Sequence, residues 1–158
     1  MNSELFQLFD RGRNLLQTGE CAPVRPLVNQ IVSLMTVPLV QGALRYAYKN
    51  SQASPDGIEM ATPKNAAEGA TFSAAVLPLV HNCDTSAAAT ISDNLKFGLF
   101  PTGGVTVTAR YSDFAAVKAA FEGVYACLGI TSAQVGDLMR VATIAGYVPG
   151  SDVTQHNQ

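Results

Sequence analysis

Apolar positions recur at intervals of three and four along most of this chain, the period of a helix with one face against a core. The clearest run is Phe114, Val117, Phe121, Val124, Tyr125 and Leu128. Ser112 is placed to cap its start, and Gly129 to end it in the left-handed conformation that glycine tolerates. Leu5, Leu8, Phe9, Leu15 and Leu16 mark a first helix from Glu4 to about Gln17, with Ser3 as N-cap and Gly19 as its stop. Pro23 and Pro26 open a second helix that carries Leu27, Ile31, Leu34, Met35, Pro38, Leu39, Leu44 and Tyr48. A third starts near Lys64 and carries Ala67, Phe72, Val76, Leu77 and Val80, until His81-Asn-Cys-Asp84 interrupts it. A fourth follows from about Ser86 to Lys96, capped by Asp84 or Thr85, with Ile91 and Leu95 turned inward. Thr131 to Gln134 has the spacing of a capping box and opens a sixth helix through Val135, Leu138 and Met139.

Two of these helices share a phrase. Ser33-Leu-Met-Thr-Val-Pro-Leu-Val40 and Ser73-Ala-Ala-Val-Leu-Pro-Leu-Val80 align without a gap at a forty-residue offset. Each places a proline where a helix interior loses a donor and meets a clash, at a cost of about 3 kcal/mol. Matching prolines in matching contexts predict two similarly kinked helices packed together.

Two segments break the helical period. Residues 50–63 hold Pro55-Asp56-Gly57, a turn in which Pro presets φ and Gly accepts a positive one, so a mobile surface loop is expected there. Phe97 to Tyr111 opens with loop chemistry, and Val105-Thr-Val-Thr then alternates like a strand that has no partner. The segment reads as an irregular extended loop over about 97–111 or, through Phe97, Phe100, Val105 and Val107, as a candidate interaction segment that pairs with another chain at an exposed edge. Six helices joined mostly by short loops predict an all-α fold, a single-domain bundle over residues 1–150 with a flexible tail at 151–158.

Composition narrows the function more than it names one. Apolar residues are 47% and charged residues 14% of the 158, against about 25% charged in an ordinary domain. A core is assured, and a surface so poor in charge favours a homo-oligomer or a larger protein assembly. Net charge is −2 and no cluster of Lys or Arg occurs, so nucleic acid is not an expected partner. Leu27 to Ala43 is the most apolar stretch, yet Asn29, Gln30, Pro38 and Gln41 interrupt it. It is too short and polar for the ~20 apolar residues of a membrane span. The N-terminus lacks the basic and apolar regions of a signal peptide.

Candidate chemistry is sparse. His81, Cys83 and Asp84 lie close enough for a thiolate–imidazole pair or a partial metal site, but a helix-terminal His, an N-cap Asp and a buried Cys explain them better. His156 lies in the tail. Tyr46 and Tyr48 supply phenol oxygens, hard donors suited to ferric iron. Two residues apart on a helix they diverge by roughly 200°, so one should anchor the core while the other faces solvent. Glu68 and Glu122 read as solvated, and no Glu-x-x-His or His-Glu-x-x-His spacing is present. Gly103-Gly104 lacks the residues of a phosphate loop. No catalytic residue is assigned and no enzyme is expected. Cys21, Cys83 and Cys127 are disulfide candidates, with no zinc spacing among them and no distances to choose a pair.

Several phrases together carry a resemblance. Pro38-Leu-Val-Gln-Gly-Ala-Leu-Arg-Tyr-Ala-Tyr48, Phe72-Ser-Ala-Ala-Val-Leu-Pro78 with Cys83 following, Asp113 to Ile130, and Thr131-Ser-Ala-Gln-Val-Gly136 resemble the algal low-iron-inducible periplasmic proteins, or iron-assimilating proteins. The resemblance implies a secreted, periplasmic or cell-surface protein of iron capture, with ferric iron as its ligand. This chain departs from the family in carrying Ser132 where a cysteine is expected, five residues after Cys127, and in lacking a secretion signal. No ligand residue of the family maps onto it.

Overall fold

A computed structural model describes residues 2–51, 62–98 and 112–136. Six helices follow in order: α1 Asn2–Gln17, α2 Val24–Lys49, α3 Pro63–Cys83, α4 Thr85–Leu95, α5 Phe114–Leu128 and α6 Ser132–Val135. No strand occurs among the described residues, and the fold is all-α. Most of the expected loop at 50–63, residues 52–61, lies outside the described residues. The alternating segment beyond Gly98, the extension of the sixth helix through Leu138 and Met139, and the tail likewise lie outside the described residues.

Local chemistry explains most of the boundaries. Thr62 caps α3 by accepting from the Asn65 N–H at 3.2 Å, and Pro63 fills the position where a missing donor costs nothing. Asp84 caps α4 through Oδ1, which accepts from the N–H groups of Ser86 and Ala87 at 2.7 and 3.0 Å. Gly129 ends α5 at φ +70°, and Thr131 and Gln134 close the capping box of α6. Three expectations shift. α1 already begins at Asn2, so Ser3 lies inside its first turn. α3 runs through His81 and Cys83 and stops only at Asp84. Asp113, not Ser112, caps α5, accepting from the Ala116 N–H at 3.0 Å; Ser112 is buried instead, its N–H bonded to the Asn50 carbonyl.

α2 and α3 form the most extensive helix pair, with α4 and α5 closing the core around them. Val37, Val40, Val76, Val80, Ile91, Leu95, Val117 and Phe121 are all fully sealed from solvent. The repeated phrase presents matching faces: Val40 and Val80 are buried, while Pro38 and Pro78 both point outward. Outward placement lets solvent reach the turn that each proline deprives of a donor, and both helices run on uninterrupted. α2 extends for 26 residues, and by length and composition it is the one described helix able to cross a membrane. The shorter stretch read from sequence understated it. In this fold Leu34, Val37, Val40, Ala43, Leu44 and Ala47 spend its inner face on the other helices.

Glycines within helices separate into tight and open. Gly123 on α5 has nothing within 4 Å of an added Cβ. Gly123→Ala should therefore stabilise the fold by about 0.5–1 kcal/mol through helix propensity alone, read as a higher urea midpoint with an unchanged slope.

Candidate functional site

The residues singled out for chemistry separate in space. Cys83 and Cys127 form a disulfide with a Cα–Cα distance of 5.9 Å, tying the end of α3 to the end of α5. That bond removes the thiolate from any pairing with His81, whose side chain is exposed in the last turn of α3. Asp84 is engaged as the cap of α4. Cys21, the third disulfide candidate, is a free and exposed thiol in the turn between α1 and α2. No group of three or more His, Cys, Asp or Glu side chains converges among the described residues. Phe97 is exposed, and Phe100, Val105 and Val107 lie outside the described residues.

Tyr46 and Tyr48 diverge as their spacing requires. Tyr48 is buried and meets Phe114 edge-on, with ring centroids 5.4 Å apart. Tyr46 lies nearer the surface, stacked on Phe72 of α3 at 5.8 Å, with the Lys49 ammonium 5.5 Å from its ring centre. Its hydroxyl is hydrogen-bonded with Glu68, and its pKa is raised, first by burial and then by that bond and the carboxylate's charge. Arg45 and Lys49 stand beside the same pair, and Lys49 is pushed down in pKa by burial and then by Arg45.

Two side-chain amides organise the loop ends, and sequence reasoning passed over both. Asn50 is fully buried at the C-terminus of α2, and its Nδ2 donates to the Asn65 carbonyl at 3.2 Å. Asn94 accepts from the Asp113 N–H through Oδ1 at 2.8 Å while its Nδ2 donates to Thr90. An Asn at a helix end is the signal that could have found them.

Tyr125 is a buried phenol whose hydroxyl has no partner among the described residues. Burial, then the charge of Glu122, hold its pKa well above the ordinary 10.0. A raised phenol pKa favours the neutral form in the fold. The stability it contributes is full below about pH 10 and is lost as pH climbs further. Tyr125→Phe should gain about 1 kcal/mol at neutral pH, because an unpaired buried hydroxyl disappears, and should lose less stability than the parent above about pH 10. Urea unfolding at the two pH values checks both.

The largest unexplained feature is apolar. α1 carries two stripes offset by one residue. Leu5, Leu8, Gly12 and Leu15 form the inner stripe towards α2, where Gly12 is buried within contact range of Leu27. Phe6, Phe9, Arg13 and Leu16 form an outer stripe at the same three–four–three spacing. On α2, Val28, Val32 and Met35 continue the outward face. These six apolar residues are exposed, from 45% at Val32 to 77% at Phe6. A groove of about 500 Å³ runs between the two helices, floored by Leu8, Leu27 and Ile31. The expected inward stripe on α1 is thereby corrected: Phe9 and Leu16 belong to the outer face, as does Met35 on α2.

Comparison with protein-family models, with curated proteins and with solved structures returned no match.

Proposed function

We propose that this chain is a non-enzymatic helical module of a protein outside the reducing cytoplasm, and that it works by docking through the outer face of α1 and α2. The observation that carries this reading is the pair of exposed apolar stripes flanking the groove. Scattered surface hydrophobics are ordinary, whereas six large ones aligned on two adjacent helices form a patch of the kind reserved for contact. The disulfide supports the compartment, since such bonds persist where thiols are not kept reduced. Hydroxyl-radical footprinting of the protein as isolated from its source tests the docking role. Met35 and Phe9 should be protected there relative to the purified chain. Equal modification in both preparations would overturn the reading.

Ferric capture, the activity that the resemblance implies, is supported by one pair of hard oxygen donors, Tyr46 and Glu68. It ranks second because the cations Arg45 and Lys49 already stand beside that pair and burial favours the protonated phenol. Ferric titration reads it directly. A phenolate charge-transfer band that disappears in Tyr46→Phe would raise this reading above docking, and a silent spectrum would remove it.

A further inference from the structure

We infer that the occupant of the α1–α2 face is a second copy of this chain, so that two helical hairpins meet across a two-fold axis as a four-helix bundle. The inference rests on the docking reading above and names its partner.

Three observations select a second copy. The outer positions repeat at three and four on both helices: Phe6, Phe9, Arg13 and Leu16 on α1, and Val28, Val32 and Met35 on α2. That is the spacing by which helices seat side chains into a facing helix, so the complementary surface is another pair of helices bearing the same pattern. An isologous contact needs a face that matches itself, and this one supplies both partners of each ridge and groove.

The area is also of the right order. At ~200 Å² for a large side chain, the exposed portions of the six apolar residues amount to roughly 650 Å². A standard interface takes about 800 Å² from each partner, so the stripes and their immediate rim nearly fill one.

Charge decides against the competing occupants. The hairpin between residues 1 and 30 holds three carboxylates, Glu4, Asp10 and Glu20, and three arginines, Arg11, Arg13 and Arg25. Such a surface neither repels its own copy nor draws in a strongly charged protein or an anionic lipid surface. Arg13 lies in the outer stripe already paired with Asp10 of the same helix, which lets it enter an interface without leaving an unmatched charge.

Light scattering on the purified, oxidised chain tests this, with Cys21→Ser as background so that no dimer arises from the free thiol. The parent should be a dimer with a Kd on the order of micromolar. Phe9→Glu and Val32→Glu should each weaken association by about 100-fold or more while the monomer still unfolds cooperatively, since about half of each side chain is exposed. Ala89→Glu, on the exposed face of α4, should leave the dimer intact. A strict monomer, or a dimer indifferent to both face variants, would overturn the inference. So would a monomer that sediments with phosphatidylcholine vesicles, which assigns the face to lipid. If the purified chain is monomeric while Met35 is protected in the source preparation, the second copy is excluded and the docking reading stands. If Met35 is open in both, the two fail together.

Discussion

Replacing Cys83 and Cys127 together by serine is expected to remove about 4 kcal/mol of stability, the value for releasing a loop closed over a sequence separation of 44 residues. That loop spans the end of α3, all of α4 and nearly all of α5, and these elements supply Ile91, Leu95, Val117 and Phe121 to the core. Cutting the bond frees the unfolded chain to explore far more conformations, while the folded packing changes little. Cys127 is exposed and Cys83 half-buried, so the serine hydroxyls reach solvent and add no penalty for unpaired polar groups. The loss should lower the melting temperature by about 8–16 °C. Urea unfolding with and without reductant measures the same quantity on the parent. Cys21→Ser should be silent in both, because the thiol is exposed and unbonded. A loss below about 1 kcal/mol would mean that the reduced unfolded chain is already compact over this segment.

The disulfide also marks where sequence reasoning ends. Three cysteines allow three pairings, and only the fold brings the ends of α3 and α5 within bonding distance. Helix α5 was legible because its apolar period is unbroken and its terminal Gly129 is glycine for a conformational reason. Its start was misread by one residue, since Ser112 and Asp113 are both capable caps. What separates them is the buried hydrogen bond from the Ser112 N–H to the Asn50 carbonyl, a contact 62 positions away in the chain. The all-α architecture followed from many such local signals that agree with one another. The candidate surface did not. On α1 the stripes containing Leu8 and Phe9 are equally apolar and one residue apart, so periodicity alone cannot say which one faces α2. Burial in the fold answers that question: α2 covers Gly12 and half-covers Leu5, Leu8 and Leu15, and leaves Phe6, Phe9 and Leu16 outside.

Close approach at a glycine does govern the larger α2–α3 contact, and it predicts a sensitive position there. Gly42→Val should destabilise the fold by about 3 kcal/mol. A Cβ at this point would lie 2.4 Å from Phe72 Cδ1, with Cγ and Cε1 at 2.5 and 2.7 Å. Three atoms of one ring cannot all yield by a side-chain tip swinging aside. The ring must leave its place, and with it goes the stacking on Tyr46. Valine also packs poorly into a helix compared with alanine, so no propensity gain offsets the clash. Gly69 makes the corresponding approach from α3, where an added Cβ would meet the Tyr46 Cβ at 2.9 Å. The pair explains why two helices carrying the same proline phrase can pack so closely: each presents a gap to an aromatic residue of the other. Phe72→Ala should recover part of the loss when combined with Gly42→Val, a coupling of 1 kcal/mol or more in a double-mutant cycle by urea unfolding. If the two substitutions prove additive, the ring is not what Gly42 makes room for, and the close packing of α2 on α3 has another cause.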